Sequence, residues 1–194
     1  MLHKYLLVMN GAGRPQKALP VLERAIARIQ AAESRLEPDD LRLLALLLLE
    51  KGNAYGMMND PASALNAYAE GLKTGAALKV AAPEDADGDF TRAMLLRGCG
   101  DARLAQGKYG EALDALEAAI GIFEGLVERE PEYIPFRLHF TIALNHAADA
   151  FAKSGQPEKA ETMRALADAA GQGSGELTPG LTIRGKSGPF QISR

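Results

Sequence analysis

A chain of 194 residues holds one ordinary domain or a short repeat array, but not two large domains. Hydrophobic residues are 47%, charged residues 24% and aromatics 6%, with no Trp, so the body folds and its Leu and Ala favour packed helices over a β-sandwich. A net charge of −3 leaves no basic surface for nucleic-acid phosphates, and the single cysteine, Cys99, excludes a disulfide framework and a multi-cysteine metal cluster.

The N-terminal apolar run is short, broken by His3 and Lys4, and lacks a small-residue cleavage site, so it reads as a helix over about 2–11 and not as a secretory signal. Further helices are expected at about 14–36, 39–58, 61–79, 90–106, 109–130, 133–154 and 157–170. The most apolar stretch, Leu41 to Leu49, is far short of the roughly 20 residues that cross a bilayer. A soluble, cytoplasmic protein is therefore expected, consistent with one cysteine in a reducing compartment.

A pattern recurs along the chain. First-helix leucines fall at Leu2, Leu48, Leu96 and Leu144, and turn residues at Gly13, Asn59, Gly107 and Gly155. Small residues of the following helix fall at Ala18, Ala64, Ala112 and Ala160, then at Ala25, Gly71, Ala119 and Ala167. Every series steps by 46, 48 and 48 residues. Gly or Asn suits a left-handed turn. Pro15, Pro61 and Pro157, two residues on, fit the first turn of a helix, where the missing N–H has no intrahelical partner to lose. Asp60 is placed to cap its helix. Pro38, Pro83 and Pro131 should stop the long second helices. A helix hairpin cannot bury its apolar face alone, so four of them should stack into an all-α, curved solenoid over 1–170.

These units resemble tetratricopeptide repeats, and the resemblance implies a right-handed α-solenoid. The unit at 52–72 carries the resemblance best: Leu48 stands for the family's Trp, with Gly52, Tyr55, Ala64 and Tyr68 at their places. The next keeps Gly100, Ala112 and Ala119 but has Arg103 for the Tyr, and the last keeps Phe151, Ala160 and Ala167 with Ala148 for the Gly. The period is 48 residues against the family's 34, as in long-period repeats of bacterial multidomain proteins. The first unit is degenerate and starts abruptly, either as a short cap or because the chain is cut from a longer one.

The resemblance implies that first helices line a concave groove, which maps to Leu46, Leu49, Asn53, Met57, Met94, Arg97, Asp101, Leu104, Ile142, Asn145, Asp149 and Lys153. The polar ladder Asn53, Arg97, Asp101, Asn145 and Asp149 would hydrogen-bond an extended peptide while Leu46, Leu49 and Met94 grip its side chains. The competing reading makes Arg97–Asp101 an ordinary i,i+4 pair on a solvated face. The family's clamp for a carboxylate-terminated chaperone tail needs Lys where Leu49 stands, so that ligand is not expected. The helix from Leu41 to Met58 is apolar nearly all round its first half, which points either to pairing with another chain or to burial by a neighbouring helix.

Other features carry less. Residues 84–89 (Glu-Asp-Ala-Asp-Gly-Asp) start like a calcium loop, but Phe90 and Leu96 occupy the sixth and twelfth positions, so a solvated linker whose Asp89 caps the next helix is expected. His139 and His146 lie seven residues apart, too far to share a metal ion, and are read as structural. Cys99 falls at an apolar position and reads as a small buried hydrophobe. No catalytic group, cofactor or metal is expected. The tail over 171–194 has six Gly and two Pro and carries +2 against −5 for the body. It reads as a flexible tail that either stays disordered or, with Leu181, Ile183, Phe190 and Ile192, docks on its own array or on a second copy. The expected function is a protein-interaction scaffold with a protein or peptide partner and no nucleic acid or membrane. The alternative is a self-assembly segment of a larger protein, oligomerising through the Leu-rich helix.

Overall fold

Prolines and short polar caps open most of the helices, and a left-handed residue follows three of them. The computed structural model describes residues 14–31, 36–172, 182–183 and 192–193, the last four by backbone alone. Seven helices lie among the described residues: α1 (Pro15–Gln30), α2 (Pro38–Met57), α3 (Pro61–Ala81), α4 (Ala86–Ala105), α5 (Tyr109–Arg129), α6 (Ile134–Lys153) and α7 (Pro157–Gly171). The helix expected at 2–11, with Leu2 and Gly13, lies outside the described residues.

Three boundaries differ from expectation. The helix expected to reach 36 ends at Gln30, and Pro38 opens α2 instead of stopping its predecessor. Proline is at home in either place, but only a first-turn position spares a backbone hydrogen bond. α4 starts at Ala86, four residues early, because Asp85 supplies the cap: its Oδ1 accepts from the Gly88 N–H at 3.1 Å. Asp89 is not a cap. It is 8% exposed and pairs with Lys79 Nζ at 2.9 Å. In the tail, Gly171 still belongs to α7, and Thr182–Ile183 pairs antiparallel with Ile192–Ser193, a ladder the flexible-tail reading did not include.

The three described hairpin turns share one construction. Asn59, Gly107 and Gly155 have φ of 57°, 72° and 79°. At each turn the next N–H reaches back five residues: Asp60 to the Tyr55 carbonyl at 3.0 Å, Lys108 to Arg103 at 3.0 Å, and Gln156 to Phe151 at 2.9 Å. These bonds satisfy carbonyls that the helix end would leave open. Asp60 caps α3 as expected, accepting from the Ser63 N–H at 3.0 Å.

The chain divides into two compact units, Met1–Ala102 and Arg103–Arg194. In the first, Ala18, Leu22 and Ile26 of α1 pack with Leu44, Leu47 and Leu48 of α2. α3 packs closely along α2. This two-sided cover explains why α2 is apolar nearly all round. Arg42 ties its N-terminal turn to the α3–α4 linker, donating to Asp85 Oδ2 at 2.9 Å. In the second unit α6 packs against both α5 and α7. Leu116, Ile120, Phe123 and Leu126 of α5, Phe140 and Leu144 of α6, and Met163 of α7 are all at most 1% exposed. The small residues of the repeat are buried where the pattern put them: Ala18, Ala64, Ala112 and Ala160 are at most 1% exposed. Among the first-helix leucines Leu48 and Leu144 are buried, but Leu96 is half-buried and Leu95 takes the core position. No helix among the described residues is long and apolar enough to cross a membrane.

Candidate functional site

Three of the five polar residues picked from the first helices, Asn53, Arg97 and Asp101, meet around one aromatic side chain. Tyr68, on α3, reaches between α2 and α4 in the first unit. Its ring lies against Gly52 on one helix and Gly98 on the other, where the absence of a Cβ leaves it room. Its hydroxyl donates to Asn53 Oδ1 at 3.0 Å. Burial pushes the Tyr68 phenol well above its ordinary pKa; the negative charge of Asp101 adds to this and Arg97 opposes it. These charges are therefore close to the phenol, with Glu50, itself 3% exposed, also contributing.

Arg97 is not on a solvated face: its side chain is only 16% exposed. It lies 3.8 Å from Asp101 Oδ2, beyond a good hydrogen bond, and Nη2 points at Met94 Sδ, also at 3.8 Å. Its Nε is buried with no hydrogen-bond partner.

Asn53, Met94, Arg97 and Asp101 thus gather near Tyr68, with Leu46 half-buried on α2. Met57 sits at the end of α2 and is 51% exposed. Leu49 does not line a groove. At 4% exposure it joins Leu44, Leu47 and Leu48 in the interior, because the covered helix α2 has little open surface. The Leu-rich helix thereby leaves only Leu43, at 37%, among its exposed large apolar groups before Met57. Asn145 and Asp149 belong to the second unit and are exposed on α6, with Asp149 3.6 Å from Arg164 Nη2.

Cys99 is buried. His139 stacks on Phe123 with ring centroids 6.3 Å apart. No group of three potential metal ligands occurs among the described residues. Sequence reasoning missed Glu50 and Gly98. The signal for Gly98 was its place 46 residues after Gly52, at nearly the repeat step.

The buried phenol has a pH consequence. Its folded pKa lies above the unfolded value of 10.0, so its contribution to stability is intact below about pH 10 and is lost as the pH climbs toward the folded value. Alkaline unfolding followed by circular dichroism should show this loss in the parent and not in Tyr68→Phe. At neutral pH Tyr68→Phe should cost about 1 kcal/mol for the Asn53 bond. Identical alkaline midpoints for the two chains would refute the assignment.

No family model matches the chain, and no curated protein matches it by sequence. Among solved structures it is similar to the TPR domain of Arabidopsis FLU, at 23% identity over 68% of this chain and 95% of that one, with a TM-score of 0.53. It also overlaps BtubC (BKLC) from P. vanneervenii at 15% identity, over 97% and 84% of the two chains, but a TM-score of 0.41 carries no argument. At such identities the likeness concerns architecture, and that architecture is settled: the chain has the all-α fold of a tetratricopeptide repeat domain.

Proposed function

We propose that this chain is a non-enzymatic interaction scaffold that holds an extended protein segment against the first helices of its hairpins. The observation that carries this reading is Arg97, a guanidinium drawn mostly out of water whose contact with Asp101 is long and whose Nε has no hydrogen-bond partner. A buried donor of this kind favours an acceptor brought by a partner, such as a backbone carbonyl or a carboxylate. Asn53 and Asp101 offer further polar groups beside it, and Met94 and Met57 offer adaptable apolar surface. Within the second unit, Asn145 and Asp149 form an exposed polar pair of their own on α6.

The test is selection of binding peptides from a random-sequence display library on the intact chain. The selected peptides should bind the Arg97→Ala/Asp101→Ala variant about tenfold or more weakly, the scale of one lost charge-assisted hydrogen bond. Unchanged affinity, with the helical signal intact, removes these two residues from recognition.

A further inference from the structure

Donors and acceptors around Tyr68 can be counted one by one. Asn53 uses its amide oxygen to accept from the Tyr68 hydroxyl at 3.0 Å. What this amide has left for a partner is its pair of N–H donors. Burial holds the Tyr68 phenol protonated through the physiological range, so it goes on donating and keeps the Asn53 amide in one orientation. Arg97 adds donors and no acceptor. Its Nε has no hydrogen-bond partner, and its contact with Asp101 Oδ2 is 3.8 Å. Backbone carbonyls, which an extended segment carries at every residue, suit both donors.

The balance of charge decides between a carbonyl and a carboxylate as the arriving acceptor. Asp101 and Glu50 both act on the phenol with negative charge, and Arg97 opposes them. A carboxylate brought to Arg97 would also approach Asp101, because the two side chains are only 3.8 Å apart. Arg97 is 16% exposed, and repulsion is weakly screened where water is mostly excluded. A carbonyl meets the same donors without that repulsion. A cation gains instead. The Asp101 side chain is 37% exposed. A carboxylate has about four acceptor positions, so its contacts within the chain leave capacity for an ammonium or a guanidinium.

Building on the interaction reading, we infer that the segment held at this site is neutral to basic: it offers backbone carbonyls to Asn53 and Arg97 and a lysine or arginine side chain to Asp101, and acidic segments are turned away. The residues around Tyr68 thereby act as a charge filter within the first unit.

The peptides selected on the intact chain provide the test. Lysine and arginine should be enriched in them over the starting library, and aspartate and glutamate depleted. In the tightest peptide, changing one basic residue to alanine should weaken binding about fivefold, and changing it to glutamate about thirtyfold or more. On the Asp101→Asn chain the same peptide and its alanine version should differ by less than about twofold, because the paired charge is gone. The whole chain carries −3, so Glu132→Gln is the control: the same charge change on an exposed residue of the second unit. It should leave affinity within about twofold. Equal losses in Asp101→Asn and Glu132→Gln would assign the preference to net charge and overturn the filter. Acidic peptides that still depend on Arg97 and Asp101 would overturn it too, while leaving the interaction reading standing. Peptides indifferent to Arg97→Ala/Asp101→Ala, or no selected peptides at all, would overturn both. Should Asp101→Asn lose helical signal, the three peptides on the parent chain decide, and equal affinities among them refute the filter.

Discussion

Gly98→Ala is expected to destabilise the first unit by about 2 kcal/mol, although the same change in an open helix position is stabilising. An alanine Cβ at this site would lie 2.6 Å from Tyr68 Cζ and 2.8 and 2.9 Å from its two Cε atoms. The ring has little room to yield, because a Cβ added at Gly52 would also clash with its Cε1 and Cδ1. Overpacking of this kind costs about 1–3 kcal/mol or more, against a gain of up to about 1 kcal/mol from helix propensity. The steric cost wins. Gly121, with nothing within 4 Å of an added Cβ, is the matched control, and Gly121→Ala should raise stability slightly. Urea unfolding of both variants decides the matter. The Tyr68→Ala change should lessen the additional cost of Gly98→Ala, since the two sites are then uncoupled. If Gly98→Ala proves as benign as Gly121→Ala, the aromatic wedge is not where it is described.

Phe123→Ala should have the largest effect in the second unit, about 3–5 kcal/mol. The ring is fully buried on α5 and stacks with His139 of α6. Its removal takes away the burial of a large apolar side chain and leaves a cavity between two long helices that cannot readily collapse. A loss of that size approaches the whole stability of a small domain, so Phe123→Ala should be largely unfolded near physiological temperature. Phe123→Leu keeps most of the volume and should cost about 1.5 kcal/mol or less. Thermal unfolding monitored by circular dichroism measures both. Similar midpoints for the two variants would show that the site is not tightly packed.

The backbone plan was legible because its determinants are local and periodic. A left-handed residue at Asn59, Gly107 and Gly155, a proline two residues on at Pro61 and Pro157, and a small residue at Ala64, Ala112 and Ala160 each specify one step of a hairpin without reference to the rest of the molecule. What could not be read depends on tertiary neighbours. Asp89 was expected to cap α4, but Asp85 takes that role while Lys79 on α3 engages Asp89. Leu96 was likewise expected at the repeat's core position, but Leu95 takes it, meeting the space above Gly71 of α3. At the candidate site, spacing alone aligned Arg97 with Asp101, and the repeat resemblance brought in Asn53. Leu49 was misplaced because a pattern repeated along one helix does not show how much of that helix its neighbours cover. The meeting of Asn53, Arg97 and Asp101 at Tyr68 needed Gly98, a residue whose meaning lies only in the side chain opposite it.

The three identical reversals of the chain have a consequence for its ancestry and redesign. Each joint is closed by the same backbone bonds around one residue of positive φ, and the joints are spaced by 48 residues. A coding segment cut at equivalent points can therefore be duplicated or excised in whole periods, and every new splice still finds the bonding it requires. Length in such a molecule is a countable variable, adjustable by cassette without inventing a new loop.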